Sequence, residues 1–233
     1  MQQSCATLFM RMRRKRNLDG RIDGCKQVLV RQEGNDFYDL TPEKRVDIID
    51  LESTFGNNNP FALEIGCGKG GFAVAFAQKH PGVNLIAVEK LSNVIVEACE
   101  KAIENGAPHN LQFINSSAEN LIYFLPPNSV DTIYLNFSCP YPKKAYANRR
   151  LTNPKFLKLY KYLLKKDGTI VQKTDNVAFF DYSKEQFEQN GFDVKLCTYD
   201  LYAGDISDNI ATEYEQKFVS KNQKICKLIA KII

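Results

Sequence analysis

A chain of 233 residues, 44% of them hydrophobic, is long enough for one sizeable α/β domain with a substantial core. No apolar run approaches the ~18 residues of a membrane-spanning helix, and no secretory pattern opens the chain, so a cytoplasmic protein is expected. Seven scattered cysteines without a C-x-x-C, and two histidines in apparent turns (His80, His109), argue for free thiols and against a zinc site, a disulfide framework or a His-centred triad.

Residues 1–40 show no sustained periodicity and read as a basic N-terminal arm, with loop-like Asn17–Gly20 and a short strand at Gln27–Arg31. Residues 41–233 read as one domain. Thr41-Pro-Glu opens a helix through Phe55, with Thr41 as cap and Pro42 at the first helical position. Asn57–Pro60 leads into the apolar strand Phe61–Ile65, which runs into a glycine cluster. A helix follows over Gly71–Lys79, then a strand over Asn84–Glu89 and a helix over Ser92–Glu104. Leu111–Asn115 is a third strand, residues 118–124 a short helix, and Val130–Phe137 a fourth strand. Thr152-Asn-Pro-Lys opens a helix to Leu164, stopped by Lys166-Asp-Gly168. A strand follows over Thr169–Lys173 and a helix over Ala178–Asn190. Alternation of this kind predicts a parallel, doubly wound sheet with helices on both faces. Phe192–Tyr199 and Ile225–Ile232 instead alternate apolar and polar residues, which suits an antiparallel strand pair at one edge. The expected fold is therefore a Rossmann-like, mostly parallel seven-stranded sheet of the class I methyltransferase type, with a C-terminal antiparallel pair.

Ligands of open α/β sheets bind outside the carboxyl ends of the strands. Gly66, Gly68 and Gly70 permit left-handed dihedrals and close approach of a ligand to the backbone. Glu89, about 20 residues further on, suits a ribose diol. Gly66, Gly68 and Gly71 also satisfy the dinucleotide spacing, and an unliganded tight turn is the plainer alternative. Glu64, just before the glycines, suits a cationic ligand and would repel a pyrophosphate, which favours S-adenosylmethionine over NAD. Asn136–Lys144 sets two prolines around Tyr141 and ends in paired lysines, a rigid loop able to hold a planar base and phosphate. Thr174-Asp-Asn176 is either a helix cap or, through Asp175, an acceptor for a guanine's N1–H and amino edge. Thr212–Glu215 reads as a loop or strand start near the same rim.

The net charge of +4 is unevenly spread. Arg11, Arg13 and Arg14 lie in one cationic run, Lys143, Lys144, Arg149 and Arg150 form a second, and lysines recur from Lys155 to Lys166. Such clusters suit a polyanion such as RNA, although a solvated surface run is the plainer reading.

Leu63–Gly71, Tyr134–Lys144, Arg149-Arg-Leu-Thr152, Lys173–Asn176 and Asn209–Glu215 stand in the order seen in the bacterial tRNA (guanine-N7)-methyltransferase family, and the chain resembles that family from about residue 60 onward. The resemblance implies methyl transfer from S-adenosyl-L-methionine to N7 of the variable-loop guanosine of tRNA. It implies that Glu64, Gly66, Gly68, Gly70 and Glu89 hold the donor, with Ser117 where the family has an acid near the adenine. It places Lys143, Asp175, Thr212, Glu213, Tyr214 and Glu215 at the substrate, and Ala145, Tyr146, Ala147, Asn148, Arg149 and Arg150 against RNA. Cys139 stands where the family carries its catalytic acid–base Asp, Tyr141 where it has Trp, and Ala145-Tyr146 where it has Arg-His. Because N7 carries a lone pair and no proton, the expectation is that Cys139 merely lines the site, while Asp175 with Glu213 or Glu215 supplies a stabilising field. A tRNA-binding protein with weakened catalysis, a small-molecule methyltransferase of the same fold and, more distantly, an NAD oxidoreductase stay open.

Overall fold

The computed structural model describes residues 13–31, 37, 40 and 46–233. Seven strands form one sheet: β1 (Phe61–Ile65), β2 (Asn84–Glu89), β3 (Leu111–Asn115), β4 (Val130–Asn136), β5 (Leu164–Thr174), β6 (Phe192–Thr198) and β7 (Cys226–Ile232). Their order is β3-β2-β1-β4-β5-β7-β6. The first five pair in parallel, and β7 pairs antiparallel with both β5 and β6. The expected sheet is the observed one. Strand β1 is an inner strand, buried at every position, as a strand covered on both faces requires.

Helices fill the two faces: α1 (Leu18–Asp23), α2 (Leu51–Phe55), α3 (Gly71–Lys79), α4 (Ser92–Glu104), α5 (Pro154–Leu163), α6 (Val177–Gln189) and α7 (Glu213–Val219). The period-two alternation of β1 sends Phe61, Leu63 and Ile65 into the core beneath α2, α5 and α6. It sends Ala62 into the core beneath α1, α3 and α4, and Glu64 shares that face by the same alternation. The strand thereby aims one carboxylate at the glycine turn while its apolar residues fill the opposite core.

Four boundaries differ from expectation, each for a physical reason. Residues 46–50 are not helical, and α2 begins at Leu51 because the Asp50 carboxylate accepts the Ser53 N–H at 3.2 Å; the expected Thr41 cap lies outside the described residues. Asn17–Gly20, expected as loop, contains the start of α1, where burial of Leu18 and Ile22 on α4 outweighs the weak local signal. Arg21 fixes this packing with two bonds to Glu100, of 2.7 and 2.6 Å. Strand β5 starts at Leu164 rather than Thr169, since Val130 already pairs with Leu164 across an irregular register. Thr212–Glu215 is the capped start of α7, not a loop or strand: Thr212 accepts the Glu215 N–H, and Glu215 returns to the Thr212 N–H. In the segment expected as a short strand, Leu29 makes a single parallel bridge to Phe113 at the β3 edge.

The glycine turn is where backbone conformation is most constrained. Gly70 has φ 75°, and a Cβ there would meet the Ala98 Cβ at 2.8 Å, so its lack of a side chain lets α3 pack on α4. Gly56 has φ 67° with nothing near. Gly70→Ala is therefore expected to lose about 2–4 kcal/mol of stability in urea unfolding, from left-handed strain plus overpacking. Gly56→Ala should lose only about 1–2 kcal/mol, from the dihedral alone.

Candidate active site at the carboxyl rim of the sheet

The ends of β1, β2, β4 and β5 converge on one rim. Glu64 is 2% exposed. Its Oε1 accepts the Asn136 side-chain N–H at 3.0 Å. Its Oε2 has no partner, and neither have Asn136 Oδ1 and Ser138 Oγ. Buried polar atoms are rarely left unpaired, so unmatched acceptors at the mouth of a glycine turn are places for a ligand's donors. Burial pushes the Glu64 carboxyl up to about 7, against the opposing effects of the Asn136 bond and the Lys173 charge.

Gly66 and Gly68 have φ 81° and 57°, and open space where a Cβ would stand, so backbone lines the crevice. Gly66 and Cys67 donate to Val88 O at 2.8 and 3.0 Å, which folds the turn against the end of β2. There Glu89 accepts the Gly68 N–H at 3.3 Å on one oxygen and the Leu91 N–H at 2.9 Å on the other. Each oxygen keeps a lone pair for a hydroxyl. Burial raises its pKa too. Ser117 is half-buried directly before a 3₁₀ turn, two residues after β3.

The loop after β4 is strained. Phe137 and Tyr141 adopt φ 50° and 40°, a left-handed region that bulky residues avoid and that costs about 1–3 kcal/mol each. Arg150 offsets this cost. Its guanidinium donates to Pro140 O at 3.0 Å and to Tyr141 O at 3.0 Å, and lies 4.3 Å from the Tyr182 ring centre on α6. Phe137 N–H also donates to Lys173 O at 2.9 Å. Arg150, grouped with the RNA contacts from the sequence, thus braces the loop. Lys143, Lys144, Ala145, Tyr146, Asn148 and Arg149 are exposed beside it, Ala147 is half-buried, and Arg149 stacks 4.9 Å from the Tyr146 ring centre. Cys139 is half-buried and disulfide-bonded, which departs from the expectation of free thiols; Cys25, Cys67, Cys99, Cys197 and Cys226 are free.

At the end of β5, Asn176 caps α6 by accepting the Phe179 N–H at 2.8 Å, so the cap reading holds for Asn176. Asp175 beside it is half-buried, with its pKa raised by burial. Thr212–Glu215 diverges. Thr212 caps α7, and Glu213 pairs with Lys101 near Gly71. Tyr214 is 54% exposed near Phe137, and Glu215 is fully buried on Lys173. Of the three acids offered for a field at the base, only Asp175 has no cationic partner among the described residues. Arg13 and Arg14 lie at the start of the described chain, with Asn93 donating to Arg13 O and Arg14 paired to Asp19; Arg11 lies outside the described residues. Asn136 as partner of Glu64 was not foreseen, though a polar residue closing an apolar strand was its visible signal.

This strand order, with a glycine turn after β1 and an acid ending β2, defines a class I methyltransferase fold. Solved structures agree on the fold. A 16S rRNA methyltransferase, KamB, superposes with TM-score 0.61 at 13% identity, over 83% of this chain and 98% of its own. An antibiotic-related methyltransferase gives 0.59 at 18% identity, over 83% and 99%. The profile of a family described as "Putative methyltransferase" matches residues 58–228. The tRNA (guanine-N(7)-)-methyltransferase of Bacillus cytotoxicus is 45% identical over 76% of this chain and 81% of its own. That of Lachnoclostridium phytofermentans is 40% identical over 90% and 95%. The chain belongs to the bacterial tRNA (guanine-N7)-methyltransferase family.

The Glu64 environment has a measurable consequence. A carboxyl whose folded pKa is raised from 4.5 to about 7 favours the folded state below pH 4.5, and that contribution is lost as pH rises through about 7. Unfolding free energies of wild type and Glu64→Gln should therefore converge at low pH. They should separate by roughly 3 kcal/mol in favour of the variant by pH 8.

Proposed function

We propose that this protein transfers a methyl group from S-adenosyl-L-methionine to N7 of the variable-loop guanosine in tRNA. The observation that carries this reading is the set of unmatched acceptors, Glu64 Oε2, Asn136 Oδ1 and Ser138 Oγ, beside an open glycine turn. An unmatched carboxylate and amide oxygen suit an ammonium-bearing, cationic ligand, and the Glu64 charge would repel a pyrophosphate. Glu89, with one lone pair left on each oxygen, suits a ribose diol. The names of the relatives supply the matching reaction.

When bound, the donor supplies an electrophilic methyl on a sulfonium. Everything else falls to the chain. Guanine N7 presents an in-plane lone pair and no proton, so no residue has to act as base there. The protein's work is alignment, with nucleophile and methyl held about 3–3.5 Å apart. The braced Phe137–Lys144 loop offers a rigid wall for a planar base, and its exposed lysines meet phosphate. Asp175 accepts the N1–H and amino edge of guanine, and its charge offsets the positive charge that passes to the purine. The burial that raises its pKa also removes the water that would weaken its field. Cys139, in a disulfide, is no nucleophile. Arg149, Tyr146 and the segment around Arg13 and Arg14 extend the cationic surface for tRNA in the cytoplasm.

The test is formation of 7-methylguanosine in unmodified tRNA incubated with protein and donor, with a tRNA lacking the variable-loop guanosine as control. Asp175→Ala should lower kcat/KM about a hundredfold or more. Cys139→Ser should stay within about threefold of wild type, under 1 kcal/mol of barrier. The reverse ranking would contradict the roles given to these residues. Retained tRNA binding without any product would instead identify a binding protein.

A further inference from the structure

One buried cation stands between the two halves of this site. Lys173, 4% exposed in its side chain, ends its apolar run at the rim of β5. Its ammonium donates to Glu215 Oε2 at 2.6 Å, to Ile210 O at 2.8 Å and to Asn209 Oδ1 at 3.2 Å. All three of its N–H bonds are used. Glu215, wholly buried, is saturated as well: Oε1 accepts from Tyr202 OH at 3.0 Å and Asn209 Nδ2 at 2.6 Å. Its Oε2 accepts from Lys173 and, at 3.4 Å, from Thr212 N–H. A substrate finds no free donor or acceptor in this pair. Glu215 therefore differs from Glu64, whose Oε2 is unmatched.

We propose that Lys173 is a positioning residue for methyl transfer, tying the connection between β6 and β7 to the donor pocket and standing as the counter-charge of Glu64. This rests on the donor reading above. The network gathers a segment with no strand pairing of its own onto this ion pair: Asn209, Ile210 and Glu215 bond Lys173, and Tyr202, Asn209 and Thr212 bond Glu215. The main chain of Lys173 accepts the Phe137 N–H, so the strained loop and the α7 start share one anchor two residues before Asp175. Asn136, which donates to Glu64 Oε1 at 3.0 Å, is the register partner of Lys173, so β4 and β5 bring Lys173 to the side of that carboxylate. Tyr134, Cys67 and Glu89 are the other titratable groups that interact with Glu64. Lys173 is the one cation in that group. A buried ion pair is weak support for stability, because desolvation offsets most of the attraction. Geometry and charge at the rim are what this pair supplies.

The experiment follows donor binding by calorimetry from pH 5.5 to 9, using S-adenosylmethionine, with thermal unfolding recorded in parallel. Since binding requires ionised Glu64, the midpoint reports that carboxyl. Lys173→Met with Glu215→Gln removes both charges of the pair, leaves no lone buried ion, and should move the midpoint upward by roughly one pH unit. Lys173→Arg with Glu215→Gln leaves a guanidinium, which stays charged when buried, with one negative charge fewer nearby, and should move it downward. Lys173→Arg alone, which keeps both charges, should hold the wild-type midpoint. Opposite shifts cannot come from general destabilisation. Midpoints unchanged in both double variants overturn the proposal. If the first double variant does not fold, the second decides: a downward shift supports the proposal, and no shift or an upward one overturns it. Absence of donor binding by the wild type would instead overturn the donor reading itself.

Discussion

A carboxylate stripped of water at the end of an inner strand is the constraint on which the rest of this structure depends. Glu64 is there because β1 alternates: Phe61, Leu63 and Ile65 face one core, Ala62 and Glu64 the other side, and Glu64 ends at the glycine turn. Once buried, it disfavours its own charged form, and each nearby group either relieves or aggravates that penalty. Asn136 relieves it with a hydrogen bond, Lys173 relieves it with charge, and Glu89 aggravates it with like charge. A cationic ligand would relieve it further. The fold thus sets unmatched polar atoms, Glu64 Oε2, Asn136 Oδ1 and Ser138 Oγ, at the same rim as a network around Lys173 and Glu215 that is fully satisfied.

The same division runs through the cations. Arg150 spends its guanidinium on loop carbonyls and the Tyr182 ring, and Lys173 is closed within the rim. Lys143, Lys144 and Arg149 stay on the surface next to them. Two adjacent arginines therefore differ in kind: one stiffens a strained loop, while its neighbour stacks on Tyr146 in view of solvent. Positive charge in the sequence did not distinguish these uses, because the difference lies in which carbonyls the tertiary fold brings near.

Much of the fold was legible because its signals are local. Apolar runs bounded by glycine, proline and asparagine placed every strand of the sheet, and the switch to alternating residues after Gly191 marked the antiparallel edge. Part of what was misread depends on distant partners. Helix α1 exists through Leu18, Ile22 and Arg21 packing on α4, far along the chain. The start of α7 carries a capping box written plainly as Thr212 and Glu215, yet its acid was read for substrate because the buried Lys173 partner is 42 residues away. Candidate site residues at strand ends were legible, since topology alone puts strand ends on one rim. Which oxygens there are matched and which are not is a property of packing, and it emerged only with side chains in place.

The account's central claim is that a cationic methyl donor and a flat purine meet between Glu64, Asp175 and the loop after β4. A crystal structure with S-adenosylhomocysteine and a tRNA fragment carrying the variable-loop guanosine tests it most directly. The account predicts the donor's amino-acid end on Glu64 and Asn136, its ribose on Glu89, and guanine N7 facing the sulfur with Asp175 on the purine's amino edge. A sulfur turned away from Asp175 and from the Pro140–Lys144 loop, with no space for a nucleobase between them, would contradict it.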